Sequence, residues 1–509
     1  MKGIREIYRS SDEYAGIASI ALFTVSIGVL LIMIYSSASL VLGALAGLLV
    51  LVLAFLRPTW ALALLLFYLP FEPFILKWVP DDLYVYARYV SEGIIYLLVA
   101  STVWKRFTGQ IKRETTPIDI SFVILIVVAL ASALINFIPV TDMLLGIRQI
   151  IRFILLFFVT VHLAPSTQWV KKVLMGLFLI LAVQIALGYG QAIFGERLDT
   201  FLLPTESRSF GDIQLTSGTV QFWDYGQRIF GTMGRYDRLG TFMAFMLLIG
   251  LSMLYEKKLR KRYSWLGWGL LIALPALAFT YSRSSWFGFV LGALFIAIWA
   301  KRDQRVRWGV GIAIGGLLIY LAISGLVVDT LLEVPDQNLT ERFFEAFSYE
   351  RWRSEYYGLG RVYWVIETIG SVIPASPVFG HGPGMFGGGA AAALSNTHVY
   401  EMLGLPFGVY GTQGYIDNNW LSLWGEIGTL GLGIYIWMYV TLFLTCVRVW
   451  RKSKDPMTRA LALGVAAAMI AIVLNAFLAT FLEVRTLASY LWVMGGVVVV
   501  LGKREKLIE

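Results

Sequence analysis

The apolar residues of this chain fall into long runs that are separated by short polar or glycine- and proline-containing segments. A helix that crosses a bilayer needs about 20 mostly apolar residues, and many of the runs reach that length. The pattern therefore predicts an all-α, polytopic membrane bundle of about fourteen transmembrane helices. They are expected near residues 15–34, 38–56, 59–76, 87–104, 118–138, 143–163, 170–193, 239–255, 264–281, 284–300, 308–328, 418–449, 458–481 and 484–501.

The basic residues between the runs are unevenly distributed. If the spans alternate, segments such as 256–262 (EKKLRKR) and 448–454 (RVWRKSK) fall on one side, together with both termini. Of the 14 lysines, only Lys77 falls on the other side. Short cytoplasmic loops carry the excess of Lys and Arg, so both termini are predicted to be cytoplasmic. The net charge of +9 is thus a topological signal, and nucleic-acid binding loses its support.

The amino-acid composition of the chain excludes several classes of protein and of site. Charged residues make up 15% of the 509 and hydrophobic residues 58%, whereas soluble domains carry about 25% charge. An ordinary soluble enzyme is therefore excluded. The single cysteine, Cys446, allows no internal disulfide and no thiolate cluster. With three histidines in the chain, a histidine-rich metal site is not expected either. No metal or other cofactor is predicted.

Two long polar segments interrupt the pattern on the side opposite to the lysines. They cover about 194–238 and about 329–417, and neither contains a lysine. A structureless loop as long as the second would be unusual, and parts of it have helical apolar spacing. We expect a helical external cap with Trp and Tyr at the membrane surface. The chain then divides into a bundle at 1–328, the cap at 329–417 and C-terminal spans at 418–509.

Several arginines stand at the predicted outer ends of the spans. Arginine in a membrane segment usually faces the bundle interior or a water-filled cavity, and its guanidinium matches phosphate bidentately. A lipid diphosphate headgroup is the natural anion at that depth, and Arg283 is the first candidate to bind it. The alternative is interfacial snorkelling with carboxylate pairing, for example to Asp237. The arginines concerned are Arg148, Arg152, Arg235, Arg238, Arg283 and Arg361.

A glycine-rich stretch, FGHGPGMFGGG, covers residues 379–389. Glycine permits φ > 0 and a close approach of backbone to ligand, so Gly382 and Gly384 are candidate binding residues. A flexible hinge between cap helices is the alternative that physics alone favours. His381 is expected at the surface, and His398 is a candidate for proton transfer or for a hydrogen bond to a sugar.

The segment that opens the first C-terminal span begins with Asp417 and Asn418. A carboxylate at the mouth of a cavity could accept a proton from a hydroxyl nucleophile. Either residue could instead be the N-cap of the helix. Glu426 follows nine residues after Asp417, about 180° around an ideal helix. It is therefore predicted to lie inside the bundle, where an ionisable group needs a partner.

Several of these segments together resemble the O-antigen ligase and O-antigen polymerase family of bacterial polysaccharide assembly. No single motif is specific, but their order and topology match. The resemblance extends over roughly 230–440 and rests on residues 230–242 (FGTMGRYDRLGTF), 280–288 (TYSRSSWFG), 361–386 and 417–431.

The resemblance implies glycan transfer at the outer face of the bacterial cytoplasmic membrane from an undecaprenyl-diphosphate-linked donor, without metal or cofactor. The acceptor would be a lipid-linked repeat unit in a polymerase or lipid A–core in a ligase. Membrane lipids and a chain-length regulator are further implied partners. By position, Arg235 or Arg238, Arg283 and Arg361 would hold the diphosphate and stabilise its departing charge.

Asp417 stands where ligases of this family typically have a histidine, whereas the next residue is retained as Asn418. This departure favours a polymerase-like enzyme over a typical ligase. His398, from the preceding loop, could supply the missing imidazole. The resulting prediction assigns catalysis to Asp417, Arg283 and His398. It assigns binding of diphosphate or glycan to Arg148, Arg152, Arg235, Arg238, Arg361, Gly382, Gly384, Asn418 and Glu426.

Two other functions remain open. A membrane transporter for a small anionic solute would also explain arginines in a large helical bundle. However, no internal repeat and no pair of broken helices in symmetric halves is evident. A non-enzymatic assembly scaffold would explain the fold but not the arrangement of arginines, glycines and Asp417.

Overall fold

The computed structural model describes residues 38–205, 207–210, 213–216, 225–324, 349–407 and 414–508. The predicted first span, 15–34, and the start of the predicted cap, 329–348, lie outside these residues. The described chain is helical except for an antiparallel hairpin of β1 (Ser207–Phe210) and β2 (Ile213–Thr216). The all-α expectation therefore holds for the bundle, and the hairpin in the first long polar segment adds to it.

Six of the ten described helices before the hairpin have 12 residues or fewer. Proline starts several of them or stands just before them, because its fixed φ suits the first turn but not the interior of a helix. Their bounds are α1 (Ala38–Leu56), α2 (Pro58–Tyr68), α3 (Glu72–Lys77), α4 (Asp81–Arg88), α5 (Val90–Phe107), α6 (Asp119–Ile135), α7 (Val140–Ile151), α8 (Ile154–Leu163), α9 (Thr167–Phe194) and α10 (Glu196–Leu202).

The helices after the hairpin include the longest of the described chain. Helix α14 continues into a π-helical turn (Phe295–Ala300), and α17 continues into another (Thr368–Val372) that leads to the turn Ile373–Ala375. The bounds are α11 (Tyr236–Tyr255), α12 (Lys257–Arg262), α13 (Trp265–Phe279), α14 (Arg283–Leu294), α15 (Gln304–Ser324), α16 (Tyr349–Tyr357), α17 (Arg361–Glu367), α18 (Gly389–Ala393), α19 (His398–Met402), α20 (Asn419–Lys452), α21 (Pro456–Leu478) and α22 (Arg485–Arg504).

Six described helices are long and apolar enough to cross a membrane: α9, α11, α14 with its π-helical turn, α20, α21 and α22. Helices α7 and α8 meet at a bend of 56° and would make a seventh span if counted as one. The predicted total of about fourteen is not reached in the part of the chain that the structure describes.

The predicted number of spans is higher because hydropathy averaged over a window stays high across a break between two helices. The runs predicted as spans at 59–76, 118–138 and 264–281 contain α2, α6 and α13, which have 11, 17 and 15 residues. At about 1.5 Å per residue, such helices are shorter than a hydrocarbon core of about 30 Å.

The core of the bundle is formed by the later helices. Helix α21 packs against α11, α14 and α20, and α22 packs against α8. The apolar stretch of α22 is 94% buried, against 44% for α9, so α22 is internal and α9 peripheral. A Cβ at Gly496 would lie 3.0 Å from the carbonyl oxygen of Phe157. Glycine thus allows α22 and α8 to approach closely, as small residues do between membrane helices.

The described part of the predicted cap has a small core of its own. Trp364, Phe386, Tyr400 and Ile416 are buried together, and the rings of Phe386 and Tyr400 are stacked with centroids 5.4 Å apart. Leu421, in the first turn of α20, belongs to the same cluster. These contacts fix the short helices against the N-terminal end of α20.

Candidate functional site

A cavity of about 380 Å³ lies at the end of the bundle where α11 and α22 begin and α21 ends. Its wall has a formal excess of four positive charges, because six cationic side chains and two carboxylates line it. These eight residues are Lys77, Arg88, Arg148, Arg152, Arg238, Arg485, Glu72 and Glu483.

The cavity and the lysine-rich segments stand at opposite ends of the same helices. Arg238 is in the first turn of α11, and the basic helix α12 follows the end of α11. Helix α22 starts at Arg485 and has Lys503 and Arg504 in its last turn. Lys77, the one lysine predicted to lie opposite to the others, lines the cavity. The charge asymmetry of the sequence is therefore also an asymmetry of the folded bundle.

Arg148 and Arg152 share one face of the bundle, as their spacing predicts. Both pair with the buried carboxylate of Glu92: Arg148 through its Nε, and Arg152 with its Nη1 3.5 Å from Oε2. The bend between α7 and α8 follows directly after Ile151, so Arg152 caps α7 within the bundle. Its Nε has no hydrogen-bond partner among the described residues. Glu92 thus orients both guanidinium groups. Arg148 and Arg152 line the cavity, whereas Glu92 does not.

Arg485 and Arg88 line the cavity but are absent from the sequence-based candidates. Arg485 Nη1 lies 2.9 Å from Glu72 Oε1 and donates to the carbonyl oxygen of Arg88 at 2.8 Å. Ser91 Oγ donates to the same Glu72 oxygen at 2.6 Å. Arg485 could have been found by the rule applied to the other arginines, because it stands at the outer end of the predicted span 484–501.

The arginines at the start of α11 differ in their partners. Arg235 binds Asp237 bidentately, with Nε–Oδ1 and Nη2–Oδ2 distances of 3.0 and 3.1 Å. The alternative of local carboxylate pairing is therefore correct for Arg235. Arg238 lines the cavity; its backbone N–H donates to Asp237 Oδ1 at 2.9 Å, and the same carboxylate attracts its guanidinium, although no salt bridge within 4 Å joins them. Of the two, Arg238 is the one available to an anion in the cavity.

Arg283 and Arg361 do not line the cavity. Arg283 is the first residue of α14 and follows Tyr281, which has φ +52°. The turn that carries it packs on α11, because a Cβ at Gly240 would lie 2.5 Å from Ser285 Oγ. Arg361 Nε donates to the carbonyl oxygen of Leu478 at 2.8 Å. Arg283 and Arg361 therefore lie apart from the arginines that line the cavity.

Asp417 and Asn418 have different positions. Asn418 is the N-cap of α20, and its Oδ1 accepts from the N–H groups of Trp420 and Leu421 at 3.0 and 3.1 Å. Asp417 is 54% exposed, and its Oδ2 lies 3.5 Å from Arg361 Nη2. Neither residue lines the cavity, although Tyr415, two residues before Asp417, does. The alternative of a helix cap is therefore correct for Asn418.

The glycine-rich segment is a packing element. Gly382 and Gly384 have φ +109° and +78°, which glycine adopts without strain. A Cβ at Gly382 would lie 2.6 Å from Ile138 Cγ1, and one at Gly146 of α7 would lie 2.4 Å from Gly384 N. Backbone therefore packs directly on backbone here, and neither glycine lines the cavity. The favoured alternative of a flexible hinge is wrong, because the segment is fixed on both sides.

Both histidines of this region lie away from the cavity wall. The expectation of a surface position for His381 is wrong: the ring is buried, and its Nε2 lies 2.9 Å from the carbonyl oxygen of Val372. Burial lowers the pKa of His381. His398 is exposed at the start of α19 and does not line the cavity.

Two glutamates meet beneath the glycine-rich segment. Glu426 is 2% exposed, which confirms the prediction that it lies inside the bundle. Its Oε1 is buried without a hydrogen-bond partner among the described residues and lies against the glycine-rich segment, where a Cβ at Gly388 would be 3.0 Å away. Glu483, between α21 and α22, lines the cavity and accepts from the N–H of Gly389 at 3.1 Å. The sequence motifs do not point to Glu483, because it stands after them and between two apolar runs.

Comparison with known proteins finds a match between part of the chain and a protein family. Residues 268–436, about a third of the chain, match the family model described as O-antigen ligase. The match covers the region from α13 into α20, including the glycine-rich segment and Tyr415. A comparison with curated proteins finds no match. All six cationic residues of the cavity wall come from elements before or after the matched region.

The long apolar helices and this match agree with a multi-pass membrane protein. The family's activity is of the glycan-transferring ligase type, which implies lipid-linked glycan substrates. The resemblance seen in the sequence is thereby confirmed for residues 268–436, which match the O-antigen ligase family model.

Proposed function

We propose that this protein transfers glycan from an undecaprenyl-diphosphate-linked donor to an acceptor hydroxyl at the outer face of the bacterial cytoplasmic membrane. The observation that carries the proposal is the arginine-lined cavity at the lysine-poor end of the helices. Lysine-rich loops stay on the cytoplasmic side, so both termini would be cytoplasmic and the cavity and helical cap would face outward. A lipid diphosphate presents its charge at that depth.

The diphosphate would bind to Arg148, Arg152 and Arg238. The first two are oriented by Glu92. Arg238 lines the same cavity, and the neighbouring Asp237 carboxylate, which pairs with Arg235, also attracts it. Guanidinium groups can take phosphate oxygens bidentately. They would also stabilise the charge that develops on the departing diphosphate, so no metal is needed for that role.

Asp417 and Arg361 would contact the glycan beyond the diphosphate. Both are partly exposed, and their 3.5 Å pair can exchange for hydrogen bonds to sugar hydroxyls. Tyr415 connects them to the cavity, because it lines the cavity and its charge environment includes Asp417, Arg235 and Glu483. Asp417 in place of the family's histidine supports a polymerase-like enzyme. For Arg283 we propose a role in donor binding, from its place in the segment 280–288 that resembles a family motif. For His398 we propose a role in acceptor binding, from its exposed position at the start of α19.

The test uses the purified full chain in nanodiscs, with lipid-linked glycan extracted from cells that carry the gene. A regularly spaced ladder of products that persists in EDTA is expected for a polymerase, and a single addition to lipid A–core for a ligase. Losing a charge-assisted hydrogen bond weakens binding by about 1.5–3 kcal/mol. Arg238→Ala should therefore reduce transfer about 10- to 100-fold.

Arg451→Ala is the matched control, because Arg451 is exposed in the last turn of α20 at the opposite end of the bundle. It should leave the ladder unchanged. Equal products from wild type and Arg238→Ala would contradict the assignment of the cavity. Uptake of pyrophosphate into proteoliposomes that depends on Arg238, with no glycan product, would favour the transporter for a small anionic solute instead.

A further inference from the structure

The cavity wall contains two carboxylates, and their surroundings differ. Glu72 is buried and is committed to Arg485 at 2.9 Å and Ser91 at 2.6 Å. Glu483 makes no ion pair within 4 Å among the described residues. Its carboxylate accepts hydrogen bonds from neutral donors, the N–H of Gly389 at 3.1 Å and Asn419 Nδ2 at 3.2 Å. Neutral donors favour the ionised carboxylate less strongly than an ion pair does, so Glu483 loses less than Glu72 when it takes up a proton.

We propose that Glu483 is the general base that activates the acceptor hydroxyl. The inference rests on the proposed function, and it assigns to this loop residue the proton transfer that the sequence suggested for Asp417. Glu483 faces the same cavity as the arginines, whereas Asp417 and His398 do not line it. A base must come within hydrogen-bond reach of the hydroxyl whose proton it takes.

The Glu483 side chain is positioned from several elements. Asn419, at the start of α20, donates to its carboxylate through Nδ2 and accepts from the N–H of Leu482 through Oδ1 at 2.8 Å. Arg152 Nη2 donates to the Glu483 carbonyl oxygen at 3.1 Å, and the side chain of Gln149 lines the cavity beside the carboxylate. These contacts fix the loop between α21 and α22 and orient the carboxylate beside the arginines.

The proton and the electrons balance in a single displacement. The acceptor oxygen attacks the anomeric carbon while its proton passes to the Glu483 carboxylate. The bond from the anomeric carbon to the diphosphate oxygen breaks, and that oxygen keeps the electron pair. Lipid diphosphate leaves on the arginines, the new glycosidic bond has inverted configuration, and Glu483 later releases the proton to water.

The charges around Glu483 are suited to this role. Burial raises the pKa of the Glu483 carboxyl, and the Arg152 guanidinium opposes that shift. The other titratable groups that face it are Glu426 and Tyr435 of α20 and Tyr415 in the segment before it. Glu426 lies close enough to Glu483 for the two carboxyl groups to interact electrostatically. A base with a raised pKa takes up the proton more readily near neutral pH.

The experiment measures initial rates of transfer against pH for the full chain in nanodiscs, with Glu483→Gln, Glu483→Asp and Asp417→Asn. Binding of undecaprenyl diphosphate is measured on the same samples. Glu483→Gln should lose about 100- to 10,000-fold in rate while binding the lipid diphosphate at least as tightly as wild type. Glu483→Asp should keep a measurable rate with an acidic limb, because it retains a carboxylate. Glu401→Gln, an exposed glutamate of α19, is the matched control and should behave as wild type.

The sign of the pH effect follows from the base role. Wild-type rate should fall as the pH drops through the raised pKa of Glu483, and the residual rate of Glu483→Gln should lack this limb. If Glu483→Gln keeps the acidic limb and Asp417→Asn removes it, Glu483 is not the base. If wild type neither binds the lipid diphosphate nor forms product, the proposed function itself fails. If wild type binds the lipid diphosphate and forms product while Glu483→Gln binds it without forming product, both the proposed function and the base role of Glu483 are supported.

Discussion

The kink in helix α20 gives the most direct test of how this site is built. Gly428 has φ +69° and ψ −176° inside the helix, a region that only glycine adopts readily. The kink lets the glycine-rich segment dock, because the N–H groups of His381 and Gly382 donate to the carbonyl oxygens of Gly425 and Glu426 at 2.8 and 2.9 Å. We predict that Gly428→Ala destabilises the protein strongly.

The magnitude has two parts. A residue with a side chain in this backbone region is strained by about 1–3 kcal/mol. In addition, the new Cβ would lie 2.2 Å from the carbonyl oxygen of Val378 and 2.5 Å from Gly380 N, and these backbone atoms have little freedom to move. Overpacking of this kind adds about 1–3 kcal/mol. The free energy of unfolding should therefore fall by about 2–6 kcal/mol.

Gly433→Ala provides the matched control in the same helix. A Cβ at Gly433 meets nothing within 4 Å, so this change should be neutral or stabilise the helix by about 0.5–1 kcal/mol. Thermal unfolding in detergent, followed by tryptophan fluorescence, compares the two variants with wild type. Gly428→Ala should unfold several degrees lower than Gly433→Ala. Equal midpoints would refute the argument that the kink needs glycine.

Three further predictions concern other contacts. Arg485→Ala leaves the buried Glu72 carboxylate without its cation and should destabilise by about 3–5 kcal/mol, and the double change with Glu72→Gln should recover part of this loss in the same thermal assay. Asn418→Ala removes the N-cap of α20 and should cost about 1 kcal/mol in thermal unfolding, whereas Asn418→Asp should restore most of it. Burial lowers the pKa of His381, so the folded protein binds that proton less well than the unfolded chain. Stability should fall as the pH drops below about 6.5, and His381→Gln should show a weaker fall between pH values of about 8 and 5.

The sequence predicted part of the candidate site because arginine in an apolar context carries a strong signal. Arg148, Arg152 and Arg238 line the cavity, as a common diphosphate site requires. Arg283 and Arg361 satisfied the same rule and lie elsewhere. Position at the end of a span fixes a residue's depth in the bundle but not the direction in which the side chain points. That direction depends on which helices are neighbours, and sequence spacing does not give it.

For the glycine-rich segment, too, the sequence indicated the local feature but not what it contacts. Its composition correctly indicated unusual backbone at Gly382 and Gly384, both of which have positive φ. Composition could not indicate whether that backbone approaches a ligand or another part of the chain. The structure places it against α7 and the kink of α20, where a Cβ at Gly380 would lie 2.5 Å from Gly428 N. Close packing explains these glycines without a ligand.

Local pattern sufficed for the helical class, for the family and for the separation of lysine-rich from lysine-poor helix ends. Each depends on the order of residues along the chain and on their transfer between water and lipid. The cavity, by contrast, joins α3 and α4, α7, α11, α18 and the loop after α21, so its arginines and Glu483 come from distant parts of the sequence. Only the packing of the helices brings them together. Whether Glu483 stands beside Asn419 and Gly389 or in open solvent is therefore decided by tertiary contacts, which no local pattern encodes.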